Sequence, residues 1–116
     1  MTDEKEIILS TTHDIPGRRI AGIVGIVSGE AVVGVGGLKG MGRAVRDVVG
    51  ARSNLHEDQV RTAREAAISR MCSEARKQGA DGAVGVSFSY QSLSGGELLL
   101  VAVVGTAVIL GEETEG

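Results

Sequence analysis

Near the C-terminus the chain runs for 13 residues, Leu98 to Leu110, with Thr106 as its only polar side chain and acidic residues, Glu97 and Glu112, closing the two ends. The run is rich in β-branched residues and shows no polar alternation, so it reads as a strand that is apolar on both sides. A strand of that kind has to be covered on both faces. It is too short for the ~20 residues a membrane helix needs. Whatever fold the chain adopts must therefore supply two layers of cover for one strand.

The means to do so are limited. At 116 residues the chain has room for one core, and a single domain spanning 1–116 is expected. Phe88 and Tyr90 are the only aromatic residues and Trp is absent, while Gly supplies 18 positions. The core must then be built from Val, Ile, Leu and Ala, which bury less area per side chain than aromatic residues do. One subunit can cover only part of the apolar strand surface, and the remainder predicts a partner of the same kind.

Around this strand the chain divides readily. Residues 1–6 and 111–116 are polar and acidic and are expected to be flexible tails. Ile7 to Ser10 makes a short strand, stopped by the turn cluster from Thr11 to Gly17. Ile20 to Val35 is a long extended segment whose glycines predict a bulge or hairpin near Ser28-Gly29-Glu30, because glycine in a strand marks bending or close packing. From Leu38 to Val49 apolar residues recur at three and four, the period of a short helix, and Gly50 to Asn54 breaks it. A second, longer helix follows. Asn54 caps it with Glu57 three residues on, Val60, Ala63, Ala67, Met71 and Ala75 form its apolar stripe, and Gly79 ends it. Glu57 and Arg61 are spaced to pair on its outer face. Ala83 to Tyr90 alternates, with Val84, Val86, Phe88 and Tyr90 on one face, and Leu93-Ser94-Gly95-Gly96 is a hairpin loop leading back into Leu98 to Leu110. These elements define an α+β fold with a small antiparallel or mixed sheet, one long helix and one short one.

No catalytic constellation is present. Gly34 to Gly40 follows a strand and precedes a helix, the setting of a phosphate loop, but it matches neither GxxxxGK[ST] nor GxGxxG. Cys72, His13 and His56 are the only soft metal ligands and none stand at short zinc-type spacings; a metal site would need one such residue from each of several subunits. A lone Cys72 beside a helix stripe ordinarily packs as a small hydrophobe. Arg46-Asp47 and Arg52-Ser53 flank the break between the helices, where arginines suit a small anionic ligand or a salt-bridge network within or between subunits. The net charge of −3 argues against broad nucleic-acid binding. With one cysteine and no basic-then-apolar leader after Met1, a cytoplasmic protein without a membrane partner is expected.

Four ordered segments also carry a resemblance. Ser28-Gly29-Glu30-Ala31-Val32-Val33-Gly34, Arg46 to Ser53, Ala75 through Gln78-Gly79-Ala80-Asp81-Gly82 to Val86, and Gly105-Thr106-Ala107-Val108 together resemble the YbjQ family of small uncharacterised proteins, often labelled heavy-metal-binding. The likeness extends from about Ser10 to Val108. It implies a dodecin-like subunit assembling as a ring-shaped homopentamer or a pair of such rings, which agrees with the partner required by Leu98 to Leu110. The expected function is a homo-oligomeric scaffold or small-ligand binder with Glu30, Arg46, Asp47, Arg52 and Ser53 at a subunit boundary. Metal binding through Cys72 or the histidines, and an enzyme site formed between subunits, are the alternatives; no cofactor is implied.

Overall fold

The computed structural model describes residues 5–34 and 49–113, with side chains in the helix described from Glu57 onward. It is an α+β fold: β1 (Ile8–Leu9), β2 (Arg18–Gly34), α1 (Val49–Lys77), β3 (Gly82–Leu93) and β4 (Leu98–Glu113), with a 3-10 turn at Ser94–Gly96 joining the last two strands. The four strands form one sheet in the order β1-β3-β4-β2. β1 runs parallel to β3, and β4 is antiparallel to both neighbours, so the sheet is mixed. The apolar run that constrains the sequence is thus a central strand, flanked by β3 and β2.

Helix α1 covers one face of the sheet. Ala63, Ala67, Met71 and Ala75, recurring at helical spacing, are all buried against Val27 and Ala31 of β2 and Val101, Val103 and Ala107 of β4. Alanines bring the helix backbone close to the strands, and at Gly29 the approach leaves no room for a side chain. A Cβ there would run into the Ala67 carbonyl oxygen and lie 2.7 Å from the Met71 nitrogen. Gly29 therefore marks close packing, not the expected bulge or hairpin, and β2 passes through Ser28-Gly29-Glu30 in unbroken register with β4. The irregularities of β2 fall earlier, between Arg18 and Gly25.

Two more expectations change at the helix. Residues 50–54 do not break it, since α1 is already helical at Val49 and continues to Lys77. Asn54 is thus inside the helix rather than its cap. One glycine in a helix interior costs only about 1 kcal/mol, which a 29-residue helix packed on a sheet can absorb. The expected short helix falls mainly on residues 35–48, outside the described residues, as does most of the Gly34–Gly40 segment. At the C-terminal end the expectation holds: Ala80 N–H donates to the Ala75 carbonyl at 3.0 Å, closing the helix at Gly79. Arg61 pairs with Asp58 at 3.6 Å across an exposed surface rather than with Glu57.

The alternation expected in β3 is interrupted. Gly85 adopts φ +62, and the pairing with β4 shifts between Val84 and Ser87. This bulge turns Val84 to the face opposite Val86: Val86 packs under α1, whereas Val84 joins Ile15, Val108 and Leu110 on the outer face. The N-terminal segment holds the bulge in place, with Gly85 N–H donating to the Thr12 carbonyl (2.8 Å) and Val86 N–H to the Ser10 carbonyl (3.1 Å). Described residues of both end segments make contacts with the fold. Lys5 Nζ is 2.8 Å from Asp81 Oδ1, and Gly111 to Glu113 belong to β4, where the Arg18 guanidinium donates to the Gly111 carbonyl.

Candidate functional site

The residues singled out in the sequence are distributed over separate parts of the fold. Glu30 lies on β2 opposite Ala102, exposed on the outer face, and its carbonyl oxygen accepts a hydrogen bond from the Arg70 guanidinium of α1. Arg46 and Asp47 lie outside the described residues. Arg52, Ser53 and His56 belong to α1, and their side chains lie outside the described part of it. The proposed boundary cluster is thus represented here by Glu30 alone.

The two described soft ligands are on opposite sides of the sheet. Cys72 packs half-buried at the helix-side core, where burial pushes its thiol up and the Arg76 charge pulls it back only in part. A thiol held above its ordinary value is a poorer nucleophile and metal ligand at neutral pH. His13 instead borders a cleft of about 230 Å³ on the outer face, lined by Ile20, Ile23, Val84, Thr106 and Val108. The sheet separates the two, so a single subunit cannot bring them to one ion. Among the described residues no three His, Cys, Asp or Glu side chains gather into a metal-binding group.

Sequence reading did not single out Arg70 or Asp81. Asp81 follows α1 directly, and its carboxylate accepts from Lys5 Nζ at 2.8 Å through one oxygen and from the Leu110 backbone N–H at 2.9 Å through the other. These two hydrogen bonds, the Lys5 one foremost, hold its carboxyl below the usual carboxylate range. Asp81 ties the N-terminal segment, the helix exit and the end of β4 together, a structural role. It stands inside the Gln78-Gly79-Ala80-Asp81-Gly82 segment, which was the only hint of it.

The largest feature outside the helix-side core is the outer face of the sheet. Ile23 and Ile26 of β2 are 73% and 77% exposed, and Val32 and Val104 are about half exposed beside them. Ile26 is in register with Thr106, Ser28 with Val104 and Val32 with Leu100, so these side chains share one surface across two adjacent strands. Among the described residues, the end of this face near Val108 and Leu110 is covered by Ile15, Ile20 and Val84.

A small α+β domain whose sheet has one helix-covered face and, among the described residues, a partly exposed outer face rich in apolar side chains is the class of protein these features define. The chain belongs to the YbjQ family, whose model carries the description "Putative heavy-metal-binding" and matches residues 7–111. It is 39% identical over 102 residues to the UPF0145 protein jk0060 of Corynebacterium jeikeium, an alignment that takes in 88% of this chain and 97% of the relative. It is 40% identical over 109 residues to a UPF0145 protein of Methanothermobacter thermautotrophicus, covering 92% and 99% of the two chains. Among solved structures it is similar in fold to a protein of unknown function of the DUF74 family from Pediococcus pentosaceus, with TM-score 0.59 at 16% identity over 90% of this chain and 98% of that one.

Proposed function

We propose that this chain is a subunit of a homo-oligomer, a dodecin-like ring of five copies or a pair of such rings, that acts as a scaffold or small-ligand binder rather than as an enzyme. The observation that carries this reading is the open apolar face of the sheet. Single exposed hydrophobic residues are ordinary on a soluble protein, but a contiguous apolar surface across two strands marks an interface. Burying an isoleucine side chain is worth roughly 1.5–3 kcal/mol, so Ile23 and Ile26 alone offer a substantial share of an association energy. The subunit boundary would carry Glu30, Arg46, Asp47, Arg52 and Ser53 as a site for a small anionic ligand. No helix among the described residues is long and apolar enough to cross a membrane, and the proposed setting is the cytoplasm, with neither membrane nor nucleic acid as partner.

Light scattering tests the assembly: the particle should weigh a multiple of the 11.9 kDa subunit mass. Ile26→Asp, which places a charge at the centre of the face, should reduce it to single subunits. A monomeric wild type would end this reading. Native mass spectrometry of protein purified from its own host should reveal the bound molecule, and Arg52→Ala should lose it while the oligomer survives. Collapse of the oligomer in Arg52→Ala would assign that residue to a salt-bridge network instead.

The family description supports metal binding as a second reading. Since His13 and Cys72 lie on opposite faces, an ion would have to be held by equivalent residues of several subunits around an axis. Equilibrium dialysis of the wild type and Cys72→Ala against a panel of metals decides it; negligible uptake by both proteins removes the metal.

A further inference from the structure

Thr106 is the only polar side chain between Leu98 and Leu110, and it stands half-buried on the outer face, in register with Val84 of β3 and Ile26 of β2. A valine there would match its shape and need no partner, whereas a hydroxyl withdrawn from water needs a hydrogen bond. Among the described residues the Thr106 hydroxyl has none.

Both neighbours of β4 are irregular beside this residue. β3 shifts register between Val84 and Ser87, opposite Thr106 and Val104, and β2 shifts between Ile23 and Gly25, opposite Val108 and Ala107. The first shift is the Gly85 bulge, and nothing lies within 4 Å of where a Gly85 Cβ would stand. Bulges re-aim side chains and recur next to active sites. Between these two lies the cleft of about 230 Å³ that His13 borders. Ile20, Ile23, Val84 and Val108 give it aliphatic walls, and its only side chains able to hydrogen-bond are the Thr106 hydroxyl and the His13 imidazole. Like Thr106, the His13 side chain has no partner among the described residues. Gly34, where the description of β2 stops, is eleven residues along the strand from Ile23, about 36 Å at 3.3 Å per residue.

We propose that this cleft binds an uncharged single-ring aromatic molecule carrying one hydroxyl group, with the ring between the aliphatic walls and the hydroxyl on Thr106 and His13. Apolar walls with a few convergent polar groups are the ordinary makeup of a small-molecule site. Size sets the ring number: an apolar cavity of about 150 Å³ accepts benzene, so this one takes a single ring and a small substituent. A rigid ring also loses less freedom on binding than an alkyl chain of the same volume. Charge sets the substituent. Among the described residues no Lys, Arg, Asp or Glu lines the cleft, so an ionised group would be desolvated without a fixed countercharge. A threonine hydroxyl and an imidazole can each donate or accept, which suits a hydroxyl that does both. The site is contained in one chain, so it does not rest on the homo-oligomer reading, and it is separate from the anion site proposed at the subunit boundary.

Titration of isotope-labelled wild type with phenol, followed through its amide chemical shifts, is the test. Shifts at Ile23, Gly85 and Thr106 should saturate while Met71 and Ala75 on the helix side stay in place. Toluene should bind roughly 3- to 10-fold more weakly, the worth of one hydrogen bond, and benzoate more weakly than phenol. Thr106→Val should reduce phenol affinity by the same roughly 3- to 10-fold and leave toluene unaffected. Should Thr106→Val fail to fold, His13→Ala, at an exposed position, provides the same comparison. Shifts that do not saturate, or that spread over the whole surface, overturn the site. Benzoate binding more tightly than phenol, or phenol and toluene binding alike to the wild type and the variants, overturns the ligand class. Light scattering of the same samples keeps the two readings apart: a monomeric wild type that binds phenol loses the assembly and retains the cleft.

Discussion

Along β4 the two faces of the sheet carry similar residue types and differ in what lies over them. On the helix side Val101, Val103 and Ala107 are almost completely buried beneath the alanine stripe of α1. On the other side Val108 and Leu110 are covered by the N-terminal turn, whereas Ile23, Ile26, Val32 and Val104 remain open. The β4 composition is similar on both, so the difference lies in the supply of cover: among the described residues, α1 lies over one face and a short turn over part of the other. The helix face holds the core of the chain, and the outer face is the surface that the proposed assembly would use.

That contrast can be broken by substitution. The largest effect should come from Gly29→Val on the helix face, because the new side chain meets the backbone of α1 and neither element can yield. A loss of more than about 4 kcal/mol, seen as an unfolded protein or a collapse of the urea midpoint, is expected; a stable, folded Gly29→Val would mean that the helix does not sit against β2 as described. Met71→Ala, at the fully buried centre of the stripe, should cost about 3 kcal/mol in urea denaturation with m unchanged.

A smaller effect is expected where the termini are tied. Asp81→Asn weakens the Lys5 contact and the bond to Leu110 N–H, and should cost about 1 kcal/mol at neutral pH. The pH dependence has a definite sign. The native carboxyl of Asp81 titrates below its unfolded value, so its contribution is complete above about pH 4 and is lost as the pH falls through the depressed native value. Wild type and Asp81→Asn should therefore converge in stability in acid; a gap that persists unchanged at pH 2 would assign the effect to packing. Smallest for the subunit is Ile26→Asp. At protein concentrations too low for assembly, amide-exchange protection at Val101 and Val103 should change by no more than about 0.5 kcal/mol. The wild-type melting temperature should rise with protein concentration, and that of Ile26→Asp should not.

What could be read from the chain, and what could not, follows the reach of the interactions. The buried strand, the stripe from Ala63 to Ala75, the Gly79 stop and the turn at Ser94–Gly96 were all legible, because each is a local pattern of period two, period 3.6 or turn chemistry. The continuation of α1 through residues 50–54 was not, since Asn54 and Glu57 satisfy a capping pattern that is equally at home inside a helix. The site was less legible still. Glu30, His13 and Cys72 were found as residue types, but their separation by the sheet depends on which face each strand position takes.

The sequence by itself determined that Leu98 to Leu110 would be a strand needing cover on both faces, because thirteen residues with no polar alternation can satisfy neither a membrane span nor a half-exposed strand. Only the tertiary structure decided which face the helix takes. That choice depends on Gly29 admitting the α1 backbone and on the Gly85 bulge turning Val84 away from Val86, contacts between residues far apart in the chain that no local pattern encodes.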